Sequence, residues 1–254
     1  MRKRVIIAGV SGKMGGIVHE LLQENDDFEY LCGFDKYPHM LRGAIFGTTE
    51  EMEEELAEMS KPDVIIDFSL PEGTEAILKY ALKNEVPIVI ATTAIEGLKE
   101  QIEGASKVIP VFQSANMSYE VAVIKKTLQL LAKLLPGTDI EICETHHNRK
   151  ADAPSGTALM LANAMNEALD GTMDIVYGRE GKRESNEIGI SSMRGGDIPG
   201  THSTYFFGTS ETLELTHTVH KRAVFAEGAI KAAKFLVEQS PGLYNMEDLI
   251  GKLI

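Results

Sequence analysis

Short apolar runs alternate with helix-like stretches along the first part of the chain, up to residue 118. Unbroken apolar runs of this length are typical of parallel strands that helices bury on both faces. Strands that alternate with helices favour βαβ units and therefore a doubly wound α/β sheet. The predicted strands are residues 4–10, 28–34, 64–69, 87–93 and 107–112, and helices are predicted to end near Glu24 and to span residues 71–83.

The pattern changes after a long predicted helix at residues 119–135, which Pro136 and Gly137 end. A short loop at 208–211 separates two strand-like runs, as in a hairpin, and predicts an α+β domain with an antiparallel or mixed open sheet. A last helix at 222–239 is predicted to pack on the first domain. Residues 1–118 and 223–254 are therefore predicted to form one domain, and residues 119–222 another. The strand-like runs of the second domain are 139–145, 173–177, 187–193, 201–207 and 212–219, with one helix at 159–169.

A glycine-rich loop follows the first predicted strand and opens the first helix. Gly9, Gly12 and Gly15 are spaced by three, and Asp35 ends the second strand at about the 20-residue separation expected of a ribose-binding acid. Strand, glycine loop, helix, strand and acid in this order predict a Rossmann-like dinucleotide site, although glycines that only form a tight turn are the alternative. An acid suits the ribose hydroxyl of NADH and a cation suits the phosphate of NADPH, so Asp35 beside Lys36 indicates weak discrimination, unless Lys36 points into solvent.

Polar residues recur where the predicted strands of the first domain end. Ser69, Thr92, Thr93, Asn116 and Ser118 all follow an apolar run. Each of them alone could be a turn residue or a helix cap. Because ligands of open α/β sheets bind beyond the carboxyl ends of the strands, their recurrence predicts a ligand site at that edge.

The densest polar stretch, residues 144–158, joins a predicted strand to a predicted helix. Pro154 suits a first helical turn, Ser155 and Thr157 can cap amides, and Gly156 allows a ligand to approach the backbone. A helix start attracts anions. Arg149 and Lys150 add full positive charges to this stretch. His146 or His147 adds a group that can exchange a proton near neutral pH.

Three other interpretations of this stretch remain open. It could be a solvated loop with an ordinary serine cap, or His146 could be a strand-end histidine bonded to a backbone carbonyl. A zinc site could use His146, His147, His217 or His220. Neighbouring histidines on a strand project to opposite faces, however, and the usual ligand spacings are missing. The stretch is therefore interpreted as an anion site with a proton donor.

Composition narrows the possible partners. The net charge of −13 argues against nucleic acid and anionic membranes, which require basic surfaces. The apolar start of the chain is too short for a signal peptide, and every apolar run is shorter than the roughly 18 residues that a membrane span needs. The only cysteines, Cys32 and Cys143, are predicted to be small buried hydrophobes rather than disulfide or metal residues. A cytoplasmic enzyme with a small anionic substrate, and no metal, is the resulting expectation.

The sequence Glu-Thr-His-His-Asn-Arg-Lys-Ala-Asp-Ala-Pro-Ser-Gly-Thr-Ala at 144–158 resembles the signature of the 4-hydroxy-tetrahydrodipicolinate reductases, also called dihydrodipicolinate reductases. The resemblance covers essentially the whole chain. It extends to the glycine loop, residues 66–69 and 71–74, 91–93, 115–118, 194–197 and 225–229.

The resemblance implies that NADH or NADPH reduces an unsaturated cyclic imine dicarboxylate to tetrahydrodipicolinate, in lysine and diaminopimelate synthesis. It implies two catalytic residues, His146 as the general acid and Lys150 on a substrate carboxylate, with Gly156, Thr157 and His147 as further substrate contacts. It also implies a homotetramer formed through the sheet of the second domain. The cofactor residues implied are Gly9, Gly12, Lys13 and Met14 for the pyrophosphate, Asp35 and Lys36 for the ribose, and Ala91, Thr93, Ala115, Asn116 and Met117 for the nicotinamide end.

Some positions depart from the family pattern. Ala91 and Ala94 stand where glycine is common, Lys13 stands where arginine is common, and Glu120 adds a negative charge. These departures bear on the cofactor geometry rather than on the reaction. Two other functions remain open: a related nicotinamide-dependent dehydrogenase of another small amino or keto acid, and a non-catalytic dinucleotide sensor.

Overall fold

The computed structural model describes residues 2–37, 43–57 and 61–251. The chain forms two compact units. Unit 1 combines Met1–Tyr119 with Ala223–Ile254, and unit 2 is Glu120–Arg222. Both ends of the chain thus contribute to one unit, and the other is a single inserted segment.

Unit 1 is built on one parallel sheet of seven strands, in the order β12-β6-β5-β4-β1-β2-β3. This confirms the predicted Rossmann-like α/β fold. The strands are β1 Lys3–Ala8, β2 Phe28–Phe34, β3 Ile45–Phe46, β4 Val64–Asp67, β5 Ile88–Ile90, β6 Pro110–Gln113 and β12 Gly242–Tyr244. The helices are α1 Lys13–Gln23, α2 Thr49–Leu56, α3 Pro71–Asn84, α4 Lys99–Ser106, α7 Ala223–Leu236 and α8 Met246–Ile250.

Four strands of unit 1 are shorter than predicted. β1 ends at Ala8 rather than at residue 10, just before Gly9, whose φ is +75°. Side-chain and helix hydrogen bonds explain the differences at β4 and β6. β4 ends at Asp67, whose carboxylate accepts the Ser69 amide (2.8 Å) and the Thr74 hydroxyl (2.6 Å), and these bonds turn the chain out of the sheet. β5 likewise ends at Ile90, before its predicted end. Residues 107–109 were wrongly predicted as strand, because the Val108 and Ile109 amides still bond to Ala105 at the end of α4.

The last long helix packs within unit 1, as predicted. α7 presents a face of small side chains to the sheet, with Ala226, Ala229 and Ala233 fully buried. On another side of α7, a Cβ atom at Gly228 would overlap the carbonyl oxygen of Met117. Only glycine therefore allows α7 to come so close to the segment after β6.

Unit 2 contains a mixed sheet of five strands, in the order β11-β10-β7-β9-β8. β10 is antiparallel to β7 and β11, whereas β7, β9 and β8 are parallel. The predicted hairpin joins β10 to β11, where the Gly208 amide donates to Glu211. The elements are α5 Tyr119–Leu134, β7 Asp139–His146, α6 Gly156–Ala168, β8 Asp174–Tyr177, β9 Glu187–Arg194, β10 Gly200–Phe207 and β11 Thr212–Val219.

One face of the unit 2 sheet is buried under α5 and α6, and the other face is open. Leu128 of α5 and Leu161 and Met165 of α6 share a core with Ile142 and Ile190 of the sheet. Because strand residues alternate between the two faces, every second residue of β7 belongs to the open face.

The two cysteines differ in exposure. Cys32 is buried, as predicted, but the prediction for Cys143 was wrong, since it is only half-buried on the open face of β7. Both are free thiols. In the ranges that the structure describes, no helix is long and apolar enough to cross a bilayer.

Candidate active site

Strand β7 carries the central acid and histidine of unit 2. Its buried face presents Ile140, Ile142, Glu144 and His146 in succession, so two polar residues continue an apolar row. The Glu144 side chain is fully buried. A buried carboxylate is costly unless hydrogen bonds and opposite charge compensate it, so its partners define the site.

The Glu144 carboxylate is bonded on both oxygens. Arg194, the last residue of β9, donates Nη2 to Oε1 (2.7 Å) and Nη1 to Oε2 (2.8 Å). The Ser155 amide donates to Oε1 (3.1 Å), and Nδ1 of His146 lies 2.5 Å from Oε2. Burial raises the pKa of the Glu144 carboxyl, but the hydrogen bonds from Arg194, Ser192 and His146 outweigh it and lower the pKa to about 2.

The charge of Glu144 decides which nitrogen of His146 faces the site. An ionised carboxylate only accepts hydrogen bonds, so Nδ1 of His146 is the donor and carries a hydrogen. This leaves Nε2 to exchange a proton. Nε2 lies beside Gly200, where an added Cβ atom would be 2.9 Å from it. The imidazole is therefore fixed at one nitrogen and fitted closely at the other.

A second buried histidine stands next to His146. The ring centroids of His146 and His202 are 5.1 Å apart in an edge-to-face arrangement. Nε2 of His202 lies 3.0 Å from the Ser155 hydroxyl. Burial, followed by the charge of His146, lowers the pKa of His202 to about 4. His202 is therefore neutral at neutral pH and adds no charge to the site.

The start of α6 differs from the prediction. Pro154 was predicted in the first turn, but the helix begins at Gly156 and Ser155 is its N-cap, with its hydroxyl accepting the Ala158 amide (3.2 Å). Ser155 occupies the N-cap of α6 because its side chain can accept a hydrogen bond from an otherwise unpaired amide, which Pro154 cannot do. Gly156 and Thr157 are the first two helical residues. The first turn of α6 contains no acidic residue, and its amides and dipole favour an anion.

The loop after β7 brings Lys150 to this helix start. Nζ of Lys150 is 2.8 Å from the Asp152 carboxylate. Lys150 first, and also the Gly156 amide, lower the pKa of Asp152. Lys150 and the amide thus already hold one carboxylate between them. That is the arrangement predicted for a carboxylate of the substrate.

The other two basic residues of the loop lie further out. Arg149 pairs with Asp197 (2.6 Å) and both side chains are exposed, so this ion pair is screened by solvent. The His147 amide donates to Ile198 (2.8 Å), which fixes the backbone of the loop. Nδ1 of His147 is buried, and it has no hydrogen-bond partner among the residues that the structure describes.

The glycine loop of unit 1 leaves no room for side chains. Gly9 has φ +75°, and a Cβ atom there would lie 2.6 Å from the Phe68 carbonyl oxygen. A Cβ atom at Gly15 would lie 2.2 Å from the Gly9 carbonyl oxygen.

The loop leads into α1, whose N-cap is Gly12 and whose first residues are Lys13 and Met14. The Ser11 hydroxyl is buried without a hydrogen bond in the described part of the chain. A tight cradle with an orphan donor at a helix start fits a pyrophosphate.

Asp35 closes the other side of this cradle. Its carboxylate accepts the Ser11 amide (2.9 Å) and the Tyr37 amide (3.1 Å), so it holds the glycine loop in place. Lys36 is exposed, with Nζ 5.8 Å from the centre of the Tyr37 ring. Asp35, which was predicted to bind the ribose, therefore also stabilises the glycine loop.

Five of the predicted cofactor residues line one cavity of about 300 Å³ in unit 1. Met14, Ala91, Thr93, Ala115 and Met117 lie around it, together with Ser69 and Thr92. Phe68 and Phe225 also line it, and the strand-end pattern did not predict either of them, because it selected polar residues only. Gly9, Gly12, Lys13, Asp35, Lys36 and Asn116 are not part of its wall.

Sequence reasoning also missed Glu144, Arg194 and His202. The available signal was a charged residue in the apolar row of β7, because such a residue requires a buried partner. Among the described residues, no group of three or more His, Cys, Asp or Glu side chains is arranged to hold a metal ion. Unit 2 therefore carries a carboxylate-bound histidine, a lysine and a helix start. Unit 1, taken by itself, carries a glycine loop whose shape fits a pyrophosphate.

Comparison with known proteins identifies the family. Residues 3–117 match the family model described as dihydrodipicolinate reductase, N-terminus, and residues 120–250 match the one for the C-terminus. The 4-hydroxy-tetrahydrodipicolinate reductase of Caldanaerobacter subterraneus subsp. tengcongensis is 48% identical, over 99% of this chain and all of the relative. The enzyme of the same name from Clostridium botulinum is 40% identical, over 98% of both chains.

A solved structure agrees with this. The dipicolinate-bound dihydrodipicolinate reductase of Paenisporosarcina sp. TG-14 superposes with a TM-score of 0.80 at 24% identity, covering 96% of this chain and 98% of that one. This likeness shows the shared fold. Together with the two family models, which cover nearly the whole chain, it leads to one conclusion. The chain belongs to the dihydrodipicolinate reductase family.

Proposed function

We propose that the protein catalyses the NADH- or NADPH-dependent reduction of 4-hydroxy-tetrahydrodipicolinate to tetrahydrodipicolinate, in the diaminopimelate route to lysine. The observation that carries the proposal is His146, held by the buried Glu144 carboxylate, in the same loop region as Lys150 and the start of α6. Such a group can donate a proton beside a site for carboxylates. Membership of the family supplies the identity of the substrate.

Loss of the 4-hydroxyl group as water, with a hydrogen from the neighbouring ring carbon, first leaves a conjugated cyclic imine. Two electrons and two hydrogens are then added to this ring: a bound reduced nicotinamide would supply a hydride to ring carbon 4, and a proton follows. The ring then carries an electron-rich enamine, which must accept a proton at carbon. A residue that gives up one proton near neutral pH completes the reduction.

In this proposal His146 donates that proton from Nε2, while Nδ1 stays bonded to Glu144. Lys150 and the amides of Gly156 and Thr157 bind one substrate carboxylate, which takes over contacts that Asp152 makes in the free protein. The orphan Nδ1 of His147 is a further contact for the dicarboxylate. Residues 119–222 thus form the substrate and oligomerisation domain.

Residues 1–118 and 223–254 form the dinucleotide domain. Gly9, Gly12, Lys13 and Met14 hold the pyrophosphate at the start of α1, and Asp35 and Lys36 hold the adenosine ribose. Ala91, Thr93, Ala115, Asn116 and Met117 lie at the nicotinamide end. The cavity shared by most of the last group, and the fit of the glycine loop, support this assignment. An acid beside a cation supports use of both NADH and NADPH.

Absorbance of the reduced nicotinamide tests the proposal directly. With the hydroxylated cyclic substrate added, we expect the signal of NADH and of NADPH to fall. The variant His146→Gln is expected to lower kcat about 10²–10⁴-fold and to keep cofactor affinity. The variant Lys150→Ala is expected to raise KM for the dicarboxylate. A loss of signal only with another amino or keto acid would indicate a related dehydrogenase, and cofactor binding without turnover would indicate a sensor.

The proposal extends to assembly and location. Exposed Met193 and Phe207 on the open face of the unit 2 sheet support a homotetramer formed through that sheet. The cytoplasm is the proposed location, because the curated relatives carry the name of a biosynthetic reductase. The only proposed binding partners besides the protein itself are the small dicarboxylate and the nicotinamide cofactor.

A further inference from the structure

We infer that Glu144, clamped by Arg194, is the positioning residue of the proton donor: it holds Nδ1 of His146 so that Nε2 alone delivers the proton. The inference rests on the proposed reduction and deepens it. Glu144 lies outside the residues that contact substrate or cofactor in that proposal. Its role is to orient a group that does.

The clamp draws on three separate elements of unit 2. Glu144 comes from β7, Arg194 from the end of β9, and the Ser155 amide from the N-cap of α6. The guanidinium donates to Oε2 over 2.8 Å and to Oε1 over 2.7 Å. This two-bond geometry prevents a carboxylate from rotating. Ser155 fixes Oε1 further, so Oε2 is presented to His146 at one position.

A fixed carboxylate has two effects on the imidazole. It selects the form of His146 with hydrogen on Nδ1, and it leaves Nε2 as the ring atom from which a proton can be transferred. When Nε2 gives its proton to the substrate carbon, Nδ1 keeps its hydrogen and its bond to Glu144. Water then returns one proton to Nε2, so the residue ends the cycle as it began.

The other ionisable groups near the imidazole do not hold Nδ1 of His146 as Glu144 does. Arg194 on β9 is bonded to Glu144 itself and moderates its charge, and His202 on β10 is neutral. Lys150 in the loop is paired with Asp152 instead (2.8 Å). Glu144 is therefore the acid that accepts the hydrogen bond from Nδ1 of His146.

The same strand provides a matched control. Glu141 lies three residues earlier, and like Glu144 it is ion-paired with arginines, here Arg179 (2.6 Å) and Arg183 (3.3 Å). Because it lies on the open face of β7, it makes no bond to His146. Residue type, strand and arginine pairing are thus alike, whereas burial and the contact with the proton donor differ.

A double-mutant cycle tests the inference in the full-length protein. We expect Glu144→Gln to lower kcat about 10–100-fold in the wild-type background, which corresponds to about 1.4–2.7 kcal/mol. In the His146→Gln background the same change should lower kcat less than about threefold, because a positioning residue has no effect once its partner is gone. The control Glu141→Gln should leave kcat unchanged.

The readouts separate the possible failures. A wild-type protein that does not oxidise NADH or NADPH with the cyclic substrate would overturn the proposed function itself. An active wild type whose Glu144→Gln loss is the same in both backgrounds would overturn only the positioning role. Should Glu144→Gln not fold by circular dichroism, Glu144→Asp keeps the charge and shortens the reach. It must then show a loss confined to the background that retains His146, or the inference is wrong.

Discussion

At the residue scale, His202 ties the stability of unit 2 to pH. Its pKa of about 4 lies below the ordinary value of 6.5 because burial opposes the charged form. Between these pH values the unfolded chain binds a proton that the folded chain does not. The contribution of His202 is therefore complete above pH 6.5 and is lost as the pH falls toward 4, by about 1.4 kcal/mol per unit.

We predict that His202→Gln makes the unfolding free energy less sensitive to pH. From pH 7.5 to pH 5.0, the wild type should lose about 2 kcal/mol more than the variant. Urea unfolding followed by circular dichroism at both pH values measures this difference. The exposed His220 offers a control, since His220→Gln should behave like the wild type. An equal pH-dependent loss in His202→Gln would contradict the assignment.

Ala94 holds a backbone conformation that suits glycine. Its φ is +58°, and its side chain is exposed, so it gains little from packing. We predict that Ala94→Gly raises the free energy of unfolding by about 0.5 kcal/mol, because relief of a left-handed conformation outweighs the added freedom of the unfolded chain. The control is Ala57→Gly at the end of α2, where the backbone is right-handed helical, so that this change should lower stability instead. Thermal melting of both variants measures the change in stability. A melting midpoint for Ala94→Gly below that of the wild type would refute the strain argument.

At the element scale, the loop between β1 and α1 is expected to tolerate no Cβ atom at Gly15. The added atom would lie 2.2 Å from the Gly9 carbonyl oxygen, and backbone cannot yield as a flexible side chain does. We predict that Gly15→Ala weakens NADPH binding at least about tenfold, or about 1.4 kcal/mol, by opening the cradle. Fluorescence titration with NADPH measures the affinity.

The chain offers a matched glycine in the same unit. Gly104 lies within α4, and a Cβ atom there would meet nothing within 4 Å. Gly104→Ala should therefore leave NADPH affinity unchanged and slightly favour the helix. Equal affinity in both variants would show that the glycine loop does not form the cofactor cradle.

Elements with a strong local pattern could be predicted from the sequence. β2 was predicted to the residue, and β7 to within one residue, because apolar side chains mark them clearly. The ends of β4 and β6 could not be, since side-chain and helix-end bonds of Asp67 and Ala105 decide them. The His146 prediction rested on local motifs, whereas its clamp needs Arg194, which is distant in sequence and reaches Glu144 only through the pairing of β7 with β9.

At the scale of the whole molecule, each proposed site is built by one of the two units of the chain. Residues 1–119 and 223–254 build unit 1, which carries the proposed nucleotide cradle, and the inserted segment builds unit 2, which carries the proposed proton donor. Each unit has its own core and its own sheet. The local glycine motif could therefore be read without the inserted segment. In contrast, the acid site depends on strands that pair out of chain order within unit 2.

The open face of the unit 2 sheet carries the last prediction. Tyr205 and Phe207 stack there with ring centroids 5.5 Å apart, and Phe207 and Met193 are 42% and 52% exposed. Exposed apolar groups of this kind favour association.

With a chain of 27.8 kDa, a homotetramer has four times that mass, and sedimentation equilibrium should find it for the wild type. Phe207→Glu places a charge in the contact of chains that already carry −13 each, so it should shift the mass toward the single chain. Val108→Glu, at an exposed apolar position of unit 1, is the control and should keep the wild-type mass. A wild type that sediments as a single chain, or an unchanged mass in Phe207→Glu, would show that this face is not the interface.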